Sequence, residues 1–353
     1  MLVPDILASG GLNMPAEHLS EVEVRKLASE RFGLIGKFTR FATEKDDTFK
    51  ILTLSGKAYV LKIANPAENE LEIDLQIEAL KYLEQSQPNL NVPRVIKDQS
   101  GNWSSYFVAT DGTKRLVRLL TYIDGIILDS TTSSSIEREK IGQILGHLRL
   151  AMENFKHPGE TRRLAWDIQH LHELAPLLNE IENSEHKKLL TVGFDKFIDM
   201  TTDLNQLRRQ VLHNDFSRSN LVVDHDYQYF VKGIIDFGDV VQTAIAIDVS
   251  TALLNQLPQT PQDDAFAPCR DILRGYLKIA DLNHRELVLL PYLIMGRVIA
   301  RALLSFMRAK IFQQNAKYIL RNTEQGWWQL QWLLSRSNSE LIDKLVINKK
   351  LEG

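Results

Sequence analysis

The stretch that most constrains this chain is VLHNDFSRSNLVVD, which runs from Val211 to Asp224. It places a polar loop between two apolar runs rich in β-branched residues, and a further run of this kind ends in IIDFGD. Two such runs on either side of the turn DHD predict a β-hairpin. That hairpin would bring Asn220, before its first strand, close to Asp236, after its second strand, with Asp215 on the loop beside them.

These three oxygen-bearing side chains suit one kind of chemistry. Mg²⁺ takes one or two protein oxygen ligands and completes its octahedron with water and phosphate oxygens, so we expect Asn220 and Asp236 to hold Mg²⁺. Asp215 lies on the same loop without a ligand partner. It is placed to orient and deprotonate an attacking hydroxyl. The pattern predicts phosphoryl transfer from a nucleotide to a hydroxyl.

Phosphoryl transfer also requires a cation for the nucleotide phosphates, and the run AYVLKIA supplies Lys62. A lone lysine in a strand is more often a solvated surface residue, but its position just ahead of a predicted helix favours a phosphate-binding role. Such a lysine pairs with an acid on the following helix. Among Glu72, Asp74, Gln76 and Glu78, we favour Asp74 or Gln76, which precede the apolar run ALKYL by about two helical turns.

The first 120 or so residues predict three strands, a helix and a strand pair. The strands are LIGKFTRF, TFKILTL and KAYVLKI, the helix is NELEIDLQIEALKYLEQ, and the hairpin joins WSSYFVAT to KRLVRLLTYI. Apolar residues recur in the helix at close to helical spacing. We expect residues 1–121 to form a nucleotide-binding N-terminal lobe.

The remaining chain, 122–353, predicts a larger and mainly helical lobe that carries the catalytic loop and the substrate site. Its first helix opens with the capping-box pattern of Ser134 and Glu137. One strand pair, 221–224 with 230–236, is the only interruption we expect. The other helices are expected around 168–182, 186–209, 243–257, 265–279, 286–313 and 322–347.

The overall charge excludes several kinds of partner. The chain has 42 basic and 45 acidic residues and a net charge of −3, so no basic field attracts nucleic acid or an anionic membrane.

We find no signal segment and no stretch that reaches the roughly 18 apolar residues of a membrane span. The single cysteine, Cys269, excludes an intrachain disulfide. We expect a cytoplasmic protein with a small-molecule substrate.

The segments HNDFSRSN and IIDFGD fit the signature HxDxxxxN followed about twenty residues later by a metal-binding Asp. On these residues and the upstream lysine strand, the chain resembles the aminoglycoside phosphotransferase and choline kinase superfamily. The resemblance implies an α+β, bilobal, protein-kinase-like fold with a small β-sheet-plus-helix N-lobe. It also implies that Asp215 is the catalytic base, that Asn220 and Asp236 bind Mg²⁺, and that His213 holds the loop. We expect Asp248 to anchor that loop by hydrogen bonds.

By the same resemblance, the nucleotide base should bind to the backbone of a hinge near Leu120, Thr121 and Tyr122. The phosphates of ATP or GTP should lie under the turn TEKDDTF. This turn lacks the glycines of a protein-kinase loop, and we expect Phe49 to cover the phosphates instead. A second departure is Asn214, since glycine is commoner at that position in the superfamily.

An amine-bearing acceptor needs carboxylates or aromatic faces, and a carboxylate-bearing one needs an arginine. Each candidate also has an alternative role that is structural. Asp239 would cap the following helix, and Arg297, like Arg301, would form an ion pair or lie in solvent. The HxH pair at 170 and 172 is not a zinc site, because helical positions two apart diverge. The substrate candidates are Asp239, Asp167, Trp166, Arg218 and Arg297.

Within the superfamily the likeness is greatest to the hydroxylysine kinases, through segments such as YVLKIANP, FKHP and GWWQL. This places 5-hydroxylysine first among acceptors, ahead of homoserine, choline, ethanolamine and aminoglycosides. A nucleotide-binding pseudokinase scaffold is the non-enzymatic alternative, but the lysine, base and metal ligands are all present. A protein kinase would need an activation loop after DFGD, where the chain enters a helical run at once. The oligomeric state and the choice between ATP and GTP stay open.

Overall fold

The computed structural model describes residues 4–9, 18–43, 46–199 and 204–346. The chain has the α+β bilobal fold of the protein kinases. The N-terminal lobe contains a six-stranded antiparallel sheet with the order β1-β2-β3-β6-β4, and β5 pairs with β6. The strands are β1 Gly36–Arg40, β2 Asp47–Thr53, β3 Ala58–Ile63, β4 Val95–Ile96, β5 Ser105–Val108 and β6 Lys114–Thr121.

Two helices cover this sheet from opposite faces. Helix α2, Glu21–Phe32, packs with residues such as Leu61 and Val117, whereas α3, Glu70–Ser86, belongs to the large apolar cluster that contains Leu116 and Leu120. Because neighbouring residues of a strand point to opposite faces, Lys62 of β3 and its cross-strand partner Arg118 of β6 both lie on the α3 face. This alternation decides which side chains face the cleft.

Two helices were not predicted from the sequence, α1, Asp5–Ser9, and α2. The signals for α2 are nevertheless local. Ser20 and Glu23 form a reciprocal capping box at its start, and Gly33, with φ 64°, ends it in the left-handed conformation.

The C-terminal lobe is mainly helical. Its α-helices are α4 Ser135–Ala151, α5 Ser184–Ile198, α6 Ile245–Leu254, α7 Ala267–Leu277, α8 His284–Ile311, α9 Ala316–Ile319, α10 Glu324–Leu334 and α11 Asn338–Leu345. Its strands are β7 Ile126–Ile127, β8 Arg209–Leu212, β9 Leu221–Val223, β10 Val231–Ile234 and β11 Val241–Ala244. They form two small sheets, β10-β9-β7 and β11-β8.

Four expectations for this lobe are corrected. The segment at 168–182 is a 3₁₀ run, Ile168–Glu180, and its Pro176 has no N–H to donate to an α-helical ladder. The helix expected over 186–209 ends at Ile198, and Arg209 already begins a strand. The helix expected over 322–347 is two helices, because Ser335 caps the end of the first and Ser337 caps the start of the second. The pairing of β8 with β11, and the strand β7, were not expected at all.

Helix α8 also corrects the expectation about membrane spans. By length and composition alone, His284–Ile311 is apolar enough to cross a bilayer, since its most apolar window has a mean hydropathy of 1.9. However, 83% of that window is buried inside the protein. Packing within the C-terminal lobe therefore accounts for its apolar character.

Candidate active site

The hairpin of β9 and β10 brings the two predicted metal ligands together. Leu221 and Ile234 are cross-strand partners, and the Ile235 N–H donates to the Asn220 backbone oxygen over 2.9 Å. Asp236 comes directly after this contact. It has φ 58° and ψ 80°, a left-handed conformation that is rare for residues other than glycine. The backbone thus holds the Asp236 carboxylate at the end of the hairpin beside Asn220.

Asp215 lies between β8 and β9, where its carboxylate oxygen Oδ2 accepts a 2.6 Å hydrogen bond from Asn220 Nδ2. Burial raises the pKa of Asp215 to about 8, with further contributions from the negative charges of Asp239 and Asp236. A carboxylate with a raised pKa accepts a proton more readily than an ordinary one. This is the property that a general base for a hydroxyl requires.

Two buried side chains hold the residue before this aspartate. Asn214 has φ 61°, and its N–H donates to Asp248 Oδ1 over 2.7 Å. Arg297 donates to Asn214 Oδ1 over 2.7 Å and to the Trp166 backbone oxygen over 2.6 Å. Asp248 therefore lies where the sequence placed it, as an anchor of the loop. Arg297 holds the same loop, so the structure differs from its expected role as a substrate ligand.

His213 makes two hydrogen bonds within the same site. Its Nε2 lies 3.1 Å from the Ile235 backbone oxygen, and its Nδ1 lies 3.3 Å from the Asp215 N–H. A neutral ring with the proton on Nε2 satisfies both contacts. Burial lowers the pKa of His213, which favours this neutral form. The ring also packs edge-on against Phe237 at 4.7 Å.

Lys62 reaches two carboxylates in the cleft. Its Nζ lies 3.2 Å from Asp236 Oδ1 and 3.4 Å from Asp46 Oδ2. Burial alone would lower the pKa of Lys62, but these two carboxylates outweigh it and raise that pKa. In turn, Lys62 lowers the pKa of Asp236. The lysine is therefore charged and lies beside one of the predicted metal ligands.

The partner predicted for this lysine is corrected. Asp74 contacts His157 Nε2 at 3.1 Å instead, and Gln76 accepts a 2.8 Å hydrogen bond from Arg118. Arg118 also donates to Asp46 over 3.0 Å. Among the described residues, helix α3 reaches Lys62 through a chain of contacts, from Gln76 to Arg118 and from Arg118 to Asp46.

Asp46 and Arg118 were missed by the sequence analysis. Burial would raise the pKa of Asp46, but Arg118 and Lys62 lower it to about 2. The sequence did contain a signal for Arg118, because it is a charged residue in the apolar run KRLVRLL. A charged residue in an apolar run is also the signal that identified Lys62. Two cations side by side on one face of a sheet require an anion between them, and Asp46 supplies it.

The expected cover of the phosphates is also corrected. Phe49 pairs with Leu61 in the sheet and is buried on the α2 face, away from the cleft. Its neighbour Thr48 pairs with Lys62 and therefore lies on the cleft face. The Thr48 hydroxyl is enclosed and has no hydrogen-bond partner in the part of the chain that the structure describes. The turn TEKDDTF itself includes residues 44 and 45, which lie outside the described residues.

The predicted hinge has fewer free backbone groups than expected. The Thr121 N–H donates to the Arg94 oxygen over 2.9 Å, and the Tyr122 N–H donates to the Ala58 oxygen over 3.2 Å. Leu120 is a buried sheet residue paired with Val60. A hydrogen bond from a hinge N–H to a base must therefore come from beyond Tyr122.

The remaining substrate candidates differ in whether they make structural contacts within the protein. Asp167 is fully buried and accepts from Gln169 and Thr243, so it has a structural role. Arg218 donates to the backbone oxygens of residues 128 and 131. Trp166 packs against the core of the lobe. Of the five, Asp239 remains near the predicted base, since its charge raises the pKa of Asp215.

The fold and the site together define a class, the kinases of protein-kinase-like architecture that act on small molecules. The sequence profile of the Phosphotransferase enzyme family matches residues 37–285, and this chain belongs to that family. The resemblance found in the sequence is thereby confirmed. The protein is a phosphotransferase that acts on a hydroxyl group of a small molecule.

Three similar proteins illustrate the relationship. A hydroxylysine kinase from Danio rerio is 25% identical over 345 residues, which cover 92% of this chain and 94% of the relative. A microcompartment-associated aminopropanol kinase superposes with a TM-score of 0.70 at 17% identity and covers 89% of this chain and 98% of its own. The amicoumacin kinase hAmiN, in complex with AMP-PNP, Ca²⁺ and Ami, has a TM-score of 0.66 at 18% identity, with 86% and 93% covered.

Proposed function

We propose that this protein transfers the γ-phosphoryl group of ATP or GTP to a hydroxyl of an amine-bearing small molecule, with a hydroxy amino acid such as 5-hydroxylysine as the first candidate. One observation carries this proposal. The Asp215 carboxylate, with its raised pKa, accepts a hydrogen bond from Asn220, while Asp236 contacts the Lys62 ammonium. A base, two oxygen ligands and a phosphate-binding cation thus occupy one cleft.

Asn220 and Asp236 fit a divalent metal of the Mg²⁺ type. Among the described residues, no group of three or more His, Cys, Asp or Glu side chains could hold a metal. A site with two protein oxygens suits Mg²⁺, because this ion keeps water and substrate phosphate oxygens as its other ligands. When bound, the ion would neutralise charge on the transferred phosphoryl group. We propose that these two residues hold it.

The protein groups around the phosphates have separate roles in this proposal. Lys62, which lies between Asp46 and Asp236, binds the phosphate oxygens. We propose that the two lobes, 1–121 and 122–353, close on the nucleotide between them. Asp215 then orients the acceptor hydroxyl and takes its proton as the hydroxyl oxygen bonds to the γ-phosphorus, while the bond from that phosphorus to the bridging oxygen breaks and the nucleoside diphosphate leaves.

The charge of the cleft favours an acceptor that carries an ammonium group. Asp215, Asp236 and Asp239 lie close enough for the two latter charges to raise the pKa of the first. An ammonium group placed among them would offset this repulsion. A hydroxylysine kinase relative supports a hydroxy amino acid, and an aminopropanol kinase neighbour with the same fold keeps amino alcohols as the second candidate.

The test is Mg²⁺-dependent release of nucleoside diphosphate from ATP and from GTP. The acceptors are hydroxylysine, homoserine, choline, ethanolamine and aminoglycosides, and the control is Asp215→Asn. We expect one amine-bearing acceptor to stimulate release by the wild type only, while the variant still binds Mg²⁺-nucleotide. Full activity of Asp215→Asn would contradict the proposed base. Nucleotide binding without turnover of any acceptor would favour the pseudokinase scaffold.

A further inference from the structure

Arg162 lies between the two lobes and donates to both. Its Nη1 donates to Glu72 Oε2 of α3 over 3.1 Å. Its Nη2 donates to the Gly238 backbone oxygen over 2.5 Å, and its Nε donates to the Val240 backbone oxygen over 2.9 Å. The side chain is only 5% exposed. A buried guanidinium group thus uses all three nitrogens to join α3 of the N-terminal lobe to the turn that follows Asp236.

That turn carries one of the two proposed metal ligands. Asp236 has a left-handed backbone conformation, with φ 58°, which is costly for a residue other than glycine and persists where the surrounding structure fixes it. The hairpin of β9 and β10 fixes the backbone before Asp236. After it, the Gly238 N–H donates to Asp236 Oδ1 over 3.3 Å, and the Gly238 oxygen accepts from Arg162. Arg162 therefore holds the strained residue from the side opposite the hairpin.

The residues just before Arg162 are attached to the same two elements of the lobes. His157 Nε2 lies 3.1 Å from Asp74 Oδ2 of α3. The Glu160 backbone oxygen accepts from the Gln242 N–H of β11 over 2.7 Å, and Glu160 Oε1 accepts from Gln242 Nε2 over 2.8 Å. The guanidinium group is thus carried on a segment that is itself fixed between α3 and the strand after the turn.

Helix α3 is linked to both carboxylates that contact Lys62. It reaches Asp46 from Gln76, through the contacts described above. It reaches Asp236 from Glu72, through the arginine between the lobes. Residues four apart on a helix lie on the same face, so one face of α3 supports a carboxylate from each lobe.

We propose that Arg162 is a positioning residue for Asp236, and that its contact with Glu72 makes the metal-binding geometry of Asp236 depend on the position of α3. This inference rests on the proposed function, which assigns Asp236 as a metal ligand. Arg162 acts through the backbone of the turn and does not itself bind metal or phosphate. A lysine cannot replace it fully, because one ammonium group cannot reach three acceptors that are spread along the guanidinium fork.

The test measures how Mg²⁺ affects the binding of fluorescent, non-hydrolysable analogues of ATP and GTP. In Arg162→Gln we expect the Mg²⁺ concentration for half-maximal binding to rise by roughly tenfold or more, as it does when the support of a metal ligand is removed. Affinity for the metal-free nucleotide should not change. Glu72→Gln should have a smaller effect in the same direction, because the two backbone oxygens keep their donors. Arg162→Lys should restore part of the Mg²⁺ affinity.

Steady-state kinetics adds a second measurement. At saturating nucleotide, the Mg²⁺ concentration for half-maximal rate should rise in Arg162→Gln, while the KM for the acceptor should not change. The double variant of Arg162→Gln and Glu72→Gln should be no weaker than Arg162→Gln alone, since both changes break the same connection. Arg163→Gln is the matched control, because Arg163 is the next residue and pairs with Glu173. It should leave the Mg²⁺ dependence unchanged.

Two results would overturn the inference and leave the proposed kinase activity intact. One is an unchanged Mg²⁺ dependence in both single variants. The other is an equal loss of metal-free and Mg²⁺-dependent nucleotide binding, because Arg162 would then be structural only. Thermal unfolding shows whether Arg162→Gln folds, and if it does not, Glu72→Gln decides. If Asp236→Asn itself leaves the Mg²⁺ dependence unchanged, the proposed metal site fails, and the inference fails with it.

Discussion

Arg297 donates to both oxygens of Asn214, over 2.7 Å to the side chain and 3.2 Å to the backbone. Asn214 precedes Asp215, the proposed base, and has a left-handed backbone conformation, with φ 61°. Glycine adopts this conformation freely, and asparagine adopts it more easily than other residues. The side-chain contact to Arg297 gives asparagine a function there that glycine cannot supply.

This relationship predicts different effects for two substitutions at position 214. Asn214→Gly keeps the backbone conformation but loses one acceptor of Arg297, whereas Asn214→Ala loses the same acceptor and adds left-handed strain. We expect the free energy of unfolding to fall more for alanine than for glycine, by about 1 kcal/mol. Denaturant unfolding of both variants measures the difference. Equal stability would show that the strain at residue 214 is negligible.

The contact between Lys62 and Asp46 predicts a role for Asp46 in nucleotide binding. Asp46→Asn leaves Lys62 with one carboxylate fewer and Arg118 without its charged partner. We expect the KM for the nucleotide to rise by about tenfold or more, which corresponds to roughly 1.4 kcal/mol, while the KM for the acceptor changes little. Steady-state kinetics with each substrate varied in turn separates the two effects.

A second variant distinguishes positioning of the lysine from general damage to the lobe. Adding Gln76→Glu to Asp46→Asn returns a carboxylate to Arg118 from α3, where the amide now accepts its hydrogen bond. Part of the nucleotide affinity should return. Asp74→Asn is the control, since Asp74 contacts His157 and not Lys62. A double variant as weak as the single one would show that the carboxylate must come from the loop before β2.

The raised pKa of Asp215 predicts a pH dependence of the reaction. The base must be ionised to take a proton, so kcat/KM should rise with pH and level off above the pKa of Asp215, about 8. Because the charge of Asp239 helps to raise that pKa, Asp239→Asn should move the midpoint to lower pH. The measurement is the pH profile of kcat/KM, with Asp226→Asn on an exposed turn as control. An unchanged midpoint in Asp239→Asn would contradict the electrostatic link.

The sequence predicts best those parts of the site that depend on neighbours in the chain. Asn220 and Asp236 are joined by one hairpin, so the turn and its flanking β-branched runs suffice to place them together. The partner of Lys62 depends instead on packing between separate elements. Asp46, Gln76 and Arg118 come from a loop, a helix and a strand that no local pattern relates.

Strand alternation explains a second error in the sequence analysis. Phe49 and Thr48 are neighbours in β2, so only one of them faces the cleft. The sequence does not show which face of β2 is covered by helix α2. The helix α2 that buries Phe49 was itself not predicted. Once α2 is known, its apolar face determines the register, and Thr48 becomes the cleft residue.

The close packing of α4 on α7 predicts a reversal of an ordinary helix effect. Replacing a helical glycine by alanine usually stabilises a protein by roughly 0.5–1 kcal/mol. A Cβ on Gly142 of α4, however, would lie 1.9 Å from the Ile272 backbone oxygen, and one on Gly275 of α7 would lie 1.9 Å from the Glu139 oxygen. Backbone atoms cannot move aside as a side-chain end can, so the two helices must separate.

We therefore expect Gly142→Ala to lower the free energy of unfolding by about 2 kcal/mol or more, as overpacking of a core does. The control is His147→Ala, at an exposed position of the same helix, where the higher helix propensity of alanine should leave stability unchanged or slightly raised. Denaturant unfolding measures both variants. A Gly142→Ala variant as stable as the wild type would mean that α4 and α7 pack less closely in solution than the structure shows.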